Sequence, residues 1–430
     1  MKNASAPAAA LLAALLTSVA VADSPPLPAQ ALVLHAARML DVASGRLIMP
    51  AEILVEGNRI SAAGSSVPHP AGVRLLDLGD TTLLPGLIDV HVHLFLHPGA
   101  EDLQTVLESV PTRTLIAASA ARDDLYAGFT AERDMGTEGA GSADTAVRDA
   151  INTGLIPGPR LRISGNAIDL LGGHEDAIHF NPDQHVLSNA SYANNAEELV
   201  AVIRQQHKEG ADFAKLYETG KDEMRNGVLH SPFQYTAAQL KAAVDEEARL
   251  GGVVAVHAQD EPGTLYAAQA GVSSIDHATQ LSDETMKLMK EKHIPAVPTF
   301  AVFEYFGSLP ENAVRERPMM DLKIREFKRQ IAAGIPFAVG SDVGPFPHGT
   351  QGRELELMVK YGMTPLAVLQ ADFLNGARLM GLEGQIGELK VGYYADIIAV
   401  RGSPLSDIGA VTHVTFVMKN GQVVRGDPAP

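Results

Sequence analysis

Apolar residues follow two rhythms along the middle of this chain. Short apolar, strand-like segments occupy 83–94, 129–135, 158–168, 211–218, 252–259, 272–279, 294–301 and 336–343, the first of them nearly continuous in its apolar character. Runs of that length without alternating polar positions mark strands covered on both faces. Between them, 196–209, 237–250 and 283–292 repeat apolar positions every three or four residues, the period of a helix with one buried face. Strand and helix in alternation across 83–385 predict an α/β fold of the (β/α)8 TIM barrel type. A doubly wound open sheet has the same rhythm, and periodicity does not separate the two.

The flanks have a different texture. Leu32 to Leu40, Ala51 to Val55 and Ile60 to Ala62 read as short strands around a turn at Glu56-Gly57-Asn58. The far end repeats it: Ala395 to Val400 and Val414 to Met418, with a hairpin turn at Asn420-Gly421. Asn-Gly between two apolar runs is a strong hairpin signal. The two ends are expected to meet in one small flanking β-sandwich, 23–82 supplying its first part and 386–430 its second. Residues 1–22 stand apart. Lys2, the apolar run Ala8 to Val21 and the small-residue site Ala20-Val21-Ala22 read as a signal peptide, too short to span a bilayer. The expected location is the periplasm or outside the cell.

Composition narrows the picture. The formal charge of −17 argues against a nucleic-acid partner, because phosphate binding needs a basic surface. With no cysteine, disulfides and zinc-thiolate sites are excluded, so 430 residues must be held by packing. No further apolar run has membrane length, which argues against a membrane partner.

The chemistry lies at the strand ends. Leu84-Pro85-Gly86-Leu87-Ile88-Asp89-Val90-His91-Val92-His93 closes an apolar strand with two histidines two residues apart, on one face. Later strands end in Lys215-Leu216-Tyr217, Val256-His257, Asp276-His277 and Ser341-Asp342. Singly, a strand-end histidine is usually structural, an aspartate after Gly-Ser is usually a cap, and a lysine usually reaches solvent. Jointly, four histidines, a lysine and an aspartate at matching strand ends form a metal-ligand set. A lysine buried beside cations loses its proton readily, and a neutral amine can add carbon dioxide to form a carbamate. Its two oxygens would bridge two ions, one held by His91, His93 and Asp342, the other by His257 and His277.

Together with Gly172-Gly173-His174, Pro347-His348-Gly349 and the closing Gly387-Glu388-Leu389-Lys390-Val391-Gly392-Tyr393-Tyr394-Ala395-Asp396, these motifs resemble the amidohydrolase superfamily, binuclear type. The finer resemblance is to its metal-dependent carboxypeptidases and Xaa-Pro dipeptidases, and to bacterial ochratoxin-hydrolysing members. One departure is Asp276-His277-Ala278, where many relatives carry Glu-His-Gly. The resemblance implies two divalent ions, zinc by donor type, a carbamylated Lys215 and a homo-oligomer, an octamer being one form. It implies hydrolysis of an amide at the carboxyl end of a small molecule or dipeptide with a free carboxylate. Asp342 would shuttle the proton, and Tyr217, on the face of Lys215, would donate to the developing oxyanion. His174 and His348 would hold the carbonyl or carboxylate. Leu94, Phe95, Leu96, Phe300, Phe303, Tyr305 and Phe306 read as an aromatic-tolerant pocket, or as core or subunit contacts. The rival readings are a deaminase or cyclic-amide hydrolase, which commonly uses one metal without the lysine, and an inactive scaffold.

Overall fold

The computed structural model describes residues 31–426 except 177–179, 182, 184 and 311. The signal-peptide reading of 1–22 lies outside the described residues. No described helix is long and apolar enough to cross a membrane.

The barrel strands form two parallel sets: Leu87–Val92, Phe129–Asp134 and Arg160–Ile163 pair in that order, and Ile168–Asp169, Ala214–Tyr217, Val254–Ala258, Ser274–His277 and the two-residue Ala296–Val297 pair in theirs. Leu87–Val92 and Phe129–Asp134 are buried at every position, including the polar Asp89, His91, Glu132, Arg133 and Asp134. The intervals 196–209, 237–250 and 283–292 form helices with those bounds, started by the side-chain caps Asn195, Thr236 and Ser282.

Three runs expected as strands are broken. Gly165, at φ 71°, splits 158–168 into Arg160–Ile163 and Ile168–Asp169. Only Ala296–Val297 of 294–301 is a strand; Pro295 and Pro298 bracket it without N–H groups to donate, and a helix begins at Phe300. The eighth segment, 336–343, is no regular strand. It makes two isolated bridges, Phe337 with Ala296 and Val343 with Val92, so it lies between the last strand and the first. Backbone bonds from Val90 N to Val339 O (3.0 Å) and Asp342 N to His91 O (2.8 Å) tie it to the first strand.

The two chain ends share the flanking domain. One sheet orders Leu32–Ala36 between Ala51–Glu56 and Arg74–Asp77, with Arg59–Gly64 at its edge. The other joins Arg38–Asp41, Arg46–Ile48 and Thr81–Pro85 to the C-terminal Ile397–Arg401, Val414–Lys419 and Gln422–Arg425. Leu34, Ile53 and Val55 from the first pack with Leu83, Ile397, Phe416 and Met418 from the second in one apolar layer. Two-residue turns at Gly57-Asn58 and Asn420-Gly421, from opposite ends of the chain, meet. Ala395 N donates to Asn58 O and Gly421 N to Ala395 O, both at 2.9 Å.

Candidate active site at the barrel mouth

Parallel register brings the polar strand ends together. Tyr217 lies opposite His257, His257 opposite Asp276, and Ala258 opposite His277. All open into a cavity of about 660 Å³ lined by His91, His93, Lys215, Tyr217, His257, His277, Asp342 and His174, within the usual range for a small-molecule site, roughly 300–1,000 Å³. Asp342 Oδ1 lies 3.4 Å from His91 Nε2 and 3.3 Å from His93 Nε2. The rings of His257 and His277 are 4.3 Å apart, and those of His91 and His277 5.2 Å. One donor atom each from His91, His277 and Asp342 falls within 4.8 Å of the others. That trio takes members from both of the expected ligand groups.

The donor set fits divalent cations. The far ring nitrogen of three histidines is already engaged: His91 Nδ1 with Asp276 Oδ2 (3.0 Å), His93 Nδ1 with Gly136 O (3.3 Å) and within 3.1 Å of the Glu138 carboxylate, and His277 Nδ1 with Thr299 Oγ1 (2.8 Å). Such partners fix the tautomer that turns Nε2 toward a metal. His257 Nε2 is buried with no hydrogen-bond partner, an orphan that a metal would satisfy. Of these partners, Asp276 was visible beside His277 in the sequence. Glu138 and Thr299 follow their strand ends in loops, where no sequence signal marked them.

Electrostatics favours the neutral imidazole at His91, His257 and His277, and the charged one at His93. Burial and the Lys215 ammonium press His91 down to about 4, and burial with neighbouring imidazoles presses His257 and His277 well below the usual range. Burial works the same way on His93, but the Asp342 and Glu138 carboxylates prevail and raise it. Burial acts to raise Asp342, yet His91, His93 and Lys215 hold it below the ordinary carboxylate value. Lys215 is 1% exposed, and burial depresses its ammonium despite Asp276, Asp342 and Glu138 nearby. Burial raises the Tyr217 phenol well above its usual value, which keeps it a donor. Its ring stacks on His174 at 4.9 Å and 9°.

His348 is not among the residues lining the cavity, and its Nδ1 is held by Asp124 Oδ2 at 2.7 Å. The expected aromatic pocket is also redistributed. Leu94 and Phe95 are buried in the main core, and Phe300 packs edge-on against Phe327. Tyr305 packs against Phe306 and Phe346. Leu96, Phe303 and Phe306 do line the cavity, joined by Val302, Met224 and Met319, which the sequence reading did not single out.

The model of the amidohydrolase family matches residues 82–424. The chain belongs to the amidohydrolase family. Ochratoxinase from Aspergillus niger is 30% identical over 380 residues, 80% of this chain and 76% of that protein. Its crystal structure superposes with a TM-score of 0.79 at 26% identity, covering 93% of this chain and 96% of that one. A Xaa-Pro dipeptidase with methionine bound in its active site superposes with a TM-score of 0.84 at 29% identity, covering 92% of this amidohydrolase and 100% of the dipeptidase. The α/β fold with its barrel and flanking domain is therefore the family's, and this amidohydrolase is a hydrolytic enzyme acting on amide bonds.

Proposed function

We propose that this amidohydrolase is a carboxypeptidase-type enzyme that releases the C-terminal amino acid from N-acyl amino acids or dipeptides. Ochratoxin A, in which phenylalanine is joined by an amide to a bulky aromatic acid, is proposed among its substrates. One observation carries the reading: a fully buried lysine sits among four histidines and an aspartate at the mouth of the barrel. The apolar wall of Val302, Phe303, Phe306, Met224 and Met319 suits an aromatic or aliphatic substrate group.

His91, His93, His257, His277, Asp342 and carbamylated Lys215 would hold two ions. When bound, two zinc ions would supply a nucleophile at neutral pH and polarise the scissile carbonyl. The neutral Lys215 amine attacks carbon dioxide, forms an N–C bond and releases one proton to solvent, which leaves a carbamate whose single negative charge is shared by two oxygens, where burial disfavours an ammonium. Asp342 takes the proton of the attacking water and passes one to the leaving amine. The Tyr217 O–H donates to the carbonyl oxygen as it gains charge, and His174, stacked on Tyr217, orients the substrate. Residues 1–22, as a signal peptide, would send the enzyme out of the cytoplasm.

Two measurements test this. Metal analysis of the purified enzyme should find about two ions per chain; one ion favours a deaminase-like centre and none the inactive scaffold. A panel of N-acyl amino acids, Xaa-Pro, Xaa-Arg and Xaa-Phe dipeptides and ochratoxin A, assayed with zinc, should show release of the C-terminal amino acid. No release from any of them ends the carboxypeptidase reading, and cleavage of dipeptides alone narrows it to a dipeptidase. Lys215→Ala should abolish turnover, with partial rescue by a short carboxylic acid plus metal.

A further inference from the structure

We propose that Lys323 and Gln330, on the helix Ala313–Ala333, are positioning residues that clamp the His277–Ala278 turn in a left-handed conformation and so aim His277 into the site. The inference rests on the reading of His277 as a metal ligand. His277 and Ala278 stand consecutively at φ 68° and φ 45°. That region is disfavoured for any residue with a Cβ, and two in succession persist only where the surroundings over-determine them. No glycine relieves the turn.

The surroundings are two buried side chains from one outer helix. Lys323 Nζ donates to His277 O at 2.8 Å and to Thr279 Oγ1 at 3.3 Å. Gln330 Nε2, two turns further along, donates to Ala278 O at 2.7 Å and to Thr279 O at 3.3 Å. Successive carbonyls of the turn thus each have a dedicated donor, while Ala278 N is held by Ala258 O at 3.0 Å. Lys323 is 2% exposed and lies against the rings of Phe303 and Phe300, with Nζ 4.6 Å and 5.5 Å from their centroids. An amine in such a place costs stability unless its bonds are made, so its value lies in what it holds. Burial lowers Lys323 to about 7, and the amine donates in either protonation state. The catalytic scheme gives neither residue a role.

The test uses the full chain with Lys323→Met, Gln330→Leu and each combined with Ala278→Gly. In metal-free protein, both single variants should speed amide exchange at Ala278 at least tenfold. Zinc affinity, measured by competition with a chelator, should fall by about 10–100-fold, the usual effect of losing a group that orients a ligand. Ala278→Gly should recover about fivefold of that affinity, because glycine enters the left-handed region freely. A purely structural role would lower the melting temperature without this rescue. Wild-type exchange and wild-type zinc affinity in both single variants overturn the clamp, as does an affinity loss that Ala278→Gly leaves untouched. Should Lys323→Met fail to fold, Gln330→Leu carries the same expectations. If the wild-type enzyme takes up no zinc, the metal reading falls, and exchange at Ala278 alone decides the clamp.

Discussion

The barrel mouth and the flanking sandwich handle backbone strain in opposite ways. In the sandwich, left-handed positions fall mainly on glycines of tight turns, Gly57 and Gly421, with Asn420 the residue most tolerant of that region after glycine. At the mouth, glycines such as Gly136, Gly139 and Gly344 also have positive φ, but so do the non-glycines Glu138, His277, Ala278, Thr299 and Asp342. The segments that carry them are tied down by buried groups from elsewhere. The Glu138 carbonyl accepts from Thr105 Oγ1 and from Arg113. Beyond Thr299, Glu354 Oε2 accepts from Ala301 N at 2.7 Å. Next to Asp342, Ser341 Oγ donates to Asp89 Oδ2. The sandwich conforms to its local sequence, whereas the mouth is bent against its own preferences by buried groups on the outer helices and on the first barrel strand. Strain of this kind gathers where side chains must converge for chemistry.

That contrast can be broken at both ends. The largest effect should come from Asp342→Asn, which keeps the shape and removes the proton carrier. Turnover should fall by about 10²–10⁴-fold while the melting temperature holds; retained turnover would remove Asp342 from the mechanism. Thr299→Val deletes the partner of His277 Nδ1 and should weaken metal binding by about 10–100-fold, read by chelator competition.

In the sandwich the same experiments should touch stability alone. A Cβ on Gly421 would lie 2.1 Å from Gly57 O, so Gly421→Ala should cost about 1–3 kcal/mol for the clash on top of its conformational cost, with kcat unchanged. Gly57 has nothing within 4 Å of its added Cβ. Gly57→Ala should therefore cost only the conformational part, about 1 kcal/mol, in denaturant titration. Equal losses in the two glycine variants would show that the contact between the turns from opposite ends carries no energy.

The closing Tyr394-Ala395-Asp396 motif belongs with the sandwich. Arg59 and Arg160 lie over the Tyr394 ring with Cζ 3.5 Å and 4.1 Å from its centroid, and Asp396 Oδ2 pairs with Arg160 at 3.1 Å. Part of what resembled the family was thus structural, joining the flanking domain to the barrel, while the histidines, Lys215 and Asp342 gather at the cavity.

Alternating periodicity, the Asn-Gly turn and polar residues at the ends of apolar runs were legible from the chain alone, because side-chain direction along a strand and turn conformation are local matters. They sufficed for the α/β class, the joined ends and the six side chains lining the mouth. The irregular eighth segment, the removal of His348, Phe95 and Phe300 from the cavity, and the supports Glu138, Thr299, Lys323 and Gln330 were decided by tertiary structure. Each depends on a contact between residues far apart in sequence, and local preference at Ala278 points away from the conformation adopted. Burial in the surrounding core supplies the bonds that hold those residues there.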